Sequence, residues 1–563
     1  MSILRIWVGL IILLAGCSRT EQPVQFEAVR APASVFSHPD STTHLTGEQL
    51  AYRYCQTCHA FPEPGLLPKT IWAESVLPRM GHRLGIRANA QEPYQGLSMY
   101  DDYLVRQAGI FPDEPQLSEG SWQKLVSYYQ QQAPDSLSAT PLSRVDTALT
   151  QFQIHPVRLS TQTIPTTTLT HINTITGHLW LGDARGMLYK IDQRSAIINS
   201  SSEERTNIPL LKESLPRNRS EGGRRIYSKH SVLDSIQLDS PPSDIHLQSD
   251  GTHQVLTMGI MNPSDQITGK LWQGGSQDSL WQLISTDLRR PVHFKPTNFG
   301  EGKMSGWLVA EFGNYLGQLA YYETIPGKGA QKQVLMDSPG TRKVEIADVD
   351  QNGLIDVTAL VAQGDERIII WYNQGDGQYK PQVLLRFPPV YGSSYFELAD
   401  FNQDGRLDIL YTNGDNADYS TVLKPYHGIR IFLQSAEGKF EEGYFLAMPG
   451  ASKAVARDFD QDGDLDIAAI SFFPDFEQTP ERGFMYLENQ SSGKLLSFIA
   501  QTFPEAAYGH WLTMDAGDTD QDGDLDIVLG SFVLPPSPVP DSLSELWMKN
   551  GPHYMVLENN TNQ

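Results

Sequence analysis

The sequence predicts a multidomain protein, a small all-α domain followed by a much larger all-β repeat array, and three observations carry that prediction. Between residues 45 and 135 two stretches have helical character, and the first ends in Cys55-Gln56-Thr57-Cys58-His59. From residue 347 onward the pattern D-x-[DN]-x-[DN]-G-x-x-D occurs four times, starting at Asp348, Asp400, Asp458 and Asp518, at intervals of 52, 58 and 60 residues. Each copy runs straight into apolar residues of strand type. With 563 residues, 40% of them hydrophobic, the chain has length and apolar content for more than one buried core.

The balance is acidic, 43 Lys+Arg against 66 Asp+Glu. Phosphate recognition needs a basic surface, so a nucleic-acid partner is excluded. The four repeated loops alone hold 16 aspartates, leaving 50 acids against 43 bases elsewhere. The acidity therefore has a local cause in the loops rather than in a partner.

Residues 1–16 carry Arg5 and then the apolar run Ile6 to Leu14, too short to span a bilayer and suited to a signal-peptide core. Leu14-Ala15-Gly16-Cys17 resembles the bacterial lipobox, which implies lipidation of Cys17 as the mature N-terminus. Ser18 after it resembles the sorting signal for the outer membrane, facing either the periplasm or the exterior. Residues 17–44 are polar, rich in Pro, Ser and Thr, and are expected to form a flexible tether.

In residues 45–135, Thr46-Gly47-Glu48-Gln49 fits a capping box that opens a helix delivering the cysteine motif at its C-terminal end. Two thiols two residues apart, followed by histidine, read as an attachment site for one haem c, with Cys55 and Cys58 bonded to its vinyl groups and His59 as an axial iron ligand. The competing reading is a redox or zinc CxxC. A second helix runs from Ser118 to Gln132, with Trp122, Leu125, Val126 and Tyr129 on one stripe. This pair of helices resembles the class I cytochrome c fold. Trp72, Val76 and Met80 resemble the W…V…M run of bacterial cytochromes, which implies Met80 as the sixth ligand, ahead of Met99 and His82. His/Met ligation would make the domain an electron carrier. Residues 136–150 are a small-residue connector.

Residues 151–563 hold the repeats. An EF-hand would need Glu at loop position 12 and flanking helices, but that position holds Ala359, Tyr411, Ala469 and Leu529. The pattern resembles FG-GAP (VCBS-type) repeats, whose loops join two strands of a β-propeller blade. Oxygen ligands at alternate positions suit calcium, up to four ions, held by Asp348, Asp350, Asn352 and Asp356; Asp400, Asn402, Asp404 and Asp408; Asp458, Asp460, Asp462 and Asp466; and Asp518, Asp520, Asp522 and Asp526. The same strand layout without acid loops recurs at 178–191, 255–272 and 306–323, making seven units. A closed seven-bladed propeller is expected, with 151–160 or 553–559 completing a shared blade. Six or eight blades are the alternatives, because 200–240 is poorly patterned.

If the acid loops join strands one and two, the long inserts between strands two and three lie on the opposite face. Lys343, Tyr395, Lys453 and His510 would then gather near the channel mouth as a binding surface, with Glu345, Glu397 and Asp515 ringing the channel. The plainer reading of those acids is pairing with nearby Lys and Arg. No GxSxG, HExxH or phosphate loop occurs. The expected function is a membrane-anchored cytochrome, an electron carrier rather than a catalyst, whose propeller docks a redox partner protein. The alternatives are a haem-linked dehydrogenase acting on a small molecule or carbohydrate, and an adhesion or scaffold lipoprotein binding a glycan or protein.

Overall fold

In the computed structural model the described residues are 24–30, 42–87, 92–138, 144–160, 162–193, the backbone of 225–226, 232–248, 250–275, 281–297, 306–325, 329–417, 420–492, 495–534, 536 and 538–562. The signal-peptide and Cys17 expectations fall outside them. Among the described residues no helix is long and apolar enough to cross a membrane.

Seven antiparallel sheets form the propeller. Their innermost strands are Thr167–Ile172, Pro242–Leu247, Pro291–Thr297, Thr341–Ala347, Ser393–Ala399, Ala451–Arg457 and Trp511–Gly517. The count of seven is the expected one. Both candidate closing segments are used together: Phe152–Arg158 pairs antiparallel with Tyr554–Asn559 as the fourth strand of the seventh blade. The ring is thus locked by the two ends of the array, and the last blade has no unfilled edge there. The core lies between blades; between the sixth and seventh it contains Phe152, Phe459, Tyr486, Trp511, Met514 and Leu557.

Each acid loop joins strands one and two of its blade, as in Thr341–Ala347 to Asp356–Val361. Position 12 is buried inside strand two at Ala359, Tyr411, Ala469 and Leu529, so no EF-hand geometry arises. The acid loops share one face, and the inserts share the other.

The helical domain has the predicted ends. Thr46 caps the helix Gly47–Cys55 in a full capping box with Gln49, and Ser118 caps Glu119–Gln132. Trp122, Leu125 and Tyr129 are buried, and Val126 packs beside them. The two helices cross where a side chain at Gly47 would stand 2.2 Å from the carbonyl of Lys124. Between them come the helical stretch 69–83, its middle turn Trp72–Val76 a π-helix, and the helix Met99–Gln107.

Two expected connectors are not free chain. Within the supposed tether 17–44, Gln25–Phe26 adds in parallel to the outer strand Gln378–Arg386 of the fourth blade, and Val29–Arg30 adds to the outer strand of the third. Phe26 stacks on Tyr379 at 4.5 Å and Trp371 Nε1 donates to the Glu27 carbonyl at 3.1 Å, so apolar burial overrides the polar composition. Within 136–150, Asp146 bonds through its backbone to Ala500 and Thr502 on the edge of the sixth blade, and Leu149 enters the core.

Candidate functional site

The helical domain sits on the insert face. Tyr426, in the insert of the fifth blade, donates from its hydroxyl to the Leu66 carbonyl at 2.9 Å. Phe111 meets Tyr315 of the third-blade insert edge-on, and the Arg83 guanidinium lies over both rings. The strongest link is Asp101, near the start of the helix Met99–Gln107. One carboxylate oxygen accepts from Ser264 Oγ at 2.9 Å and from the Asp265 N–H at 2.7 Å, both on the second-blade insert. The other accepts from Ser98 Oγ at 2.6 Å. Asp265 is fully buried and in turn accepts from the N–H groups of Asn314, Tyr315 and Leu316. Burial would raise the Asp101 pKa, but the hydrogen bonds from Ser98, Asp265, Ser264 and Gln266 together carry it below the ordinary value. No sequence motif announces this bracket, because its parts lie more than 160 residues apart.

The Cys55-to-His59 motif follows the first helix, as the capping box and helix length require. His59 Nδ1 pairs with the Ala60 carbonyl at 2.8 Å, so the ring's other nitrogen, Nε2, carries the lone pair that could ligate a metal. Burial pushes the Cys55 thiol up to about 11, with Tyr129 hydrogen bonding partly offsetting it. Met80 is half-buried against the helical core. His82 is buried against Phe111, whereas Met99 is 90% exposed. The donor set at 55, 58, 59 and 80 fits a haem c in chemistry.

The acid loops share one backbone conformation. Position four is left-handed in all of them, at Gln351, Gln403, Gln461 and Gln521, with φ of 60°, 55°, 61° and 66°. Position six is the glycine, also left-handed. Three sets hold carboxylate oxygens within 4.8 Å of one another: Asp348, Asp350 and Asp356; Asp458, Asp460 and Asp462; Asp518, Asp520 and Asp522. These fit a hard divalent cation. The loop of Asp400, Asn402, Asp404 and Asp408 folds the same way, with the Asp404 N–H donating to Asp400 at 3.1 Å and the Gly405 N–H to Asp400 at 2.7 Å, and Asp404 also pairs with Arg406. The last aspartate of each set also has a structural task. Asp356, for example, accepts from Val349 N at 2.9 Å and from Asn373 N at 2.8 Å, tying the loop to strand three. Asp408, Asp466 and Asp526 repeat this.

The loops are also tied to one another. Gln351 donates to the Gly405 carbonyl, Gln403 to that of Gly463 at 2.9 Å and Gln461 to that of Gly523 at 3.1 Å. Gln521 completes the series on Ile175 of the first blade at 3.1 Å. These glutamines were a missed signal, since the same residue stands at the same loop position in all four repeats.

On the channel side, Lys343, Tyr395 and Lys453 do come together: the two ammonium groups lie 3.8 and 5.2 Å from the Tyr395 ring centre. They are engaged internally. Lys343 donates to the Phe396 carbonyl and pairs with Glu345 at 2.8 Å, and Lys453 donates to the Met514 carbonyl. Burial works against charge on Lys343, but Tyr395, Glu345 and Glu397 outweigh it and the net shift is upward. Glu345 also meets Lys295 at 2.9 Å, Glu397 meets Arg457 at 2.7 Å and Asp515 meets His171 at 3.4 Å. The plainer reading therefore describes Glu345 and Glu397, whereas Asp515 meets a histidine and accepts from the Ile172 N–H at 2.8 Å. His510 is not at an open mouth: it is 1% exposed, stacked between Phe472 and Trp547. Phe472, Phe473 and Phe532 pack with Ala184, Met261 and Ala417, residues that follow second strands, and form an apolar cap on the insert face.

The model of the FG-GAP-like repeat matches residues 348–411 and 458–529, the stretches carrying the acid loops of the fourth to seventh blades. These blades are FG-GAP-like repeats. Human cartilage acidic protein 1 is 25% identical over 197 residues, 34% of this chain and 28% of that protein, so the match spans under a third of the relative's length. Among solved structures, the N-terminal domain of Nup159 covers 75% of this chain and 98% of its own at 9% identity and a TM-score of 0.39. Saccharomyces cerevisiae Sqt1 covers 72% and 99% at 9% identity and a TM-score of 0.38. Likenesses this distant say nothing of a ligand or partner.

Proposed function

We propose that the chain is a lipid-anchored electron carrier of the outer membrane, with one haem c in the helical domain and a divalent-cation-stabilised propeller that holds this domain in place. The observation that carries the reading is the CxxCH motif following the first helix, its histidine tied through Nδ1 so that Nε2 is left to ligate iron. Haem c bound there would supply one-electron transfer. Cys55 and Cys58 would anchor it, His59 would be one axial ligand and Met80 the other. The propeller's part in this reading is to carry the helical domain through the Asp101 bracket and, on its outer surfaces, to meet a redox partner protein. The paired charges of the channel and the apolar cap above it favour this role over oxidation of a substrate inside the propeller.

The protein expressed in a host with a haem c maturation system is expected to show reduced c-type absorption bands and a mass increase of one haem. Met80→Ala should remove the thioether-to-iron band while leaving the covalent attachment. Protein without haem after such expression would refute the reading, and an unchanged spectrum in Met80→Ala would refute that ligand alone. Up to four bound calcium ions are expected, in the 348, 400, 458 and 518 loops, read by calorimetric titration of chelator-treated protein.

A further inference from the structure

The segment that follows Cys17 is fixed to the propeller far sooner than its composition suggests. Gln25 N donates to the Gly377 carbonyl at 2.8 Å, Glu27 N donates to that of Tyr379 at 2.9 Å, and Phe26 is 6% exposed between Tyr321 and Tyr379. Only six residues, 18–23, separate Cys17 from Val24, a reach of about 25 Å at full extension. Gln25 is in register with Gln378, the first residue of the fourth blade's outer strand. That end of the strand follows the turn 374–377, on the same face as the acid loops: Asn352 Nδ2 donates to the Asn373 carbonyl there. The other end is Arg386, on the insert face, where its guanidinium pairs at 2.6 Å with Asp365 in the insert between strands two and three. The nine residues between these ends rise by about 27 Å.

Resting on the lipoprotein reading above, we propose that the acid-loop face of the propeller, at the fourth blade, is the surface turned to the phospholipid bilayer, and that the helical domain is held on the far side, away from it. For the insert face to lie on the membrane, residues 18–23 would have to run along the blade and then pass the helical domain docked there as well. Their reach does not allow it. The propeller thereby acts as a spacer that presents the haem motif outward from the anchoring leaflet, where a partner protein can reach it. A tether of 17–44 without the strand addition would have set no orientation at all.

The test uses the mature protein, lipidated on Cys17, in phosphatidylethanolamine–phosphatidylglycerol vesicles carrying an acceptor-labelled lipid. A donor dye is placed singly at Gln374→Cys, on the exposed turn beside Gln25, or at Met99→Cys, 90% exposed on the helical domain. The readout is the fractional loss of donor lifetime on adding the acceptor lipid, so any quenching by haem cancels. The expected loss is at least about twofold larger at 374 than at 99. Inserting about 20 Gly/Ser residues after Thr20 should erase the difference. Equal losses, a larger loss at 99, or a difference that survives the insertion would each overturn the orientation. A mature chain with no lipid on Cys17 by mass spectrometry would overturn the anchor and the orientation together.

Discussion

Replacing Asp101 by Ala should release the helical domain from the propeller without unfolding either. Asp101 is 4% exposed and is the common acceptor for Ser264 Oγ, the Asp265 N–H and Ser98 Oγ. Without its carboxylate the Asp265 N–H is left buried and unpaired, at a cost of about 1–3 kcal/mol, and the charge-assisted bond from Ser264 is lost for about 1–2 kcal/mol more. The total of about 2–5 kcal/mol lowers the docked-to-undocked ratio by about 30-fold to about 5,000-fold. Asp101→Asn keeps an acceptor for the Asp265 N–H and should lose less. The effect can be read as a larger radius of gyration in small-angle scattering, with new proteolytic cleavage in 136–150. The sign with pH follows from the depressed Asp101 pKa. Docking is strongest above the unfolded-state value of about 3.8 and is lost as pH falls through the lower folded value. An unchanged scattering profile and cleavage pattern in Asp101→Ala would refute the bracket.

Gly47→Val should destabilise the helical domain by about 1–3 kcal/mol, because a side chain there has no room beside the Lys124 carbonyl; an unchanged helical melt would be the contrary result. Gln403→Ala together with Gln461→Ala should lower the propeller melting temperature by a few degrees in the presence of calcium while leaving calcium stoichiometry unchanged, since the glutamines tie loops across blade seams without belonging to the acid sets. Loss of bound calcium in that variant would contradict the separation. Burial lowers the His510 pKa to about 4, so between about pH 6.5 and 4 the unfolded chain binds the extra proton and stability falls with acid. His510→Phe should flatten the fall in melting temperature between about pH 7 and 5; an undiminished slope would show that His510 does not contribute.

The repeats were legible in the sequence because each turn needs its own residues locally: aspartate to fold back on the loop's N–H groups and glycine at a left-handed position. The helix caps and the CxxCH placement were legible for the same reason, since they depend on residues three or four apart. The excess acid of the chain likewise traced to four loops without any structure. Seven blades could be counted because degenerate copies still alternate like strands.

What depended on distance in the chain could not be read. Residues 24–30 looked like tether because their composition is polar, yet burial of Phe26 and backbone pairing to an open strand edge decided their place. In the 400 loop, Arg406 also reaches the Gln434 carbonyl on strand three, a contact the loop pattern does not announce. Lys343, Tyr395 and Lys453 were rightly placed together, but their engagement with Glu345 and with backbone carbonyls from other strands only appears once the blades close. The sequence by itself determined the two-part architecture, the repeat chemistry and the cysteine motif, all set by short-range patterns. Only the tertiary structure decided which face carries the helical domain, how the channel charges pair, and where the N-terminal segment is pinned, because burial and long-range pairing are properties of the closed ring.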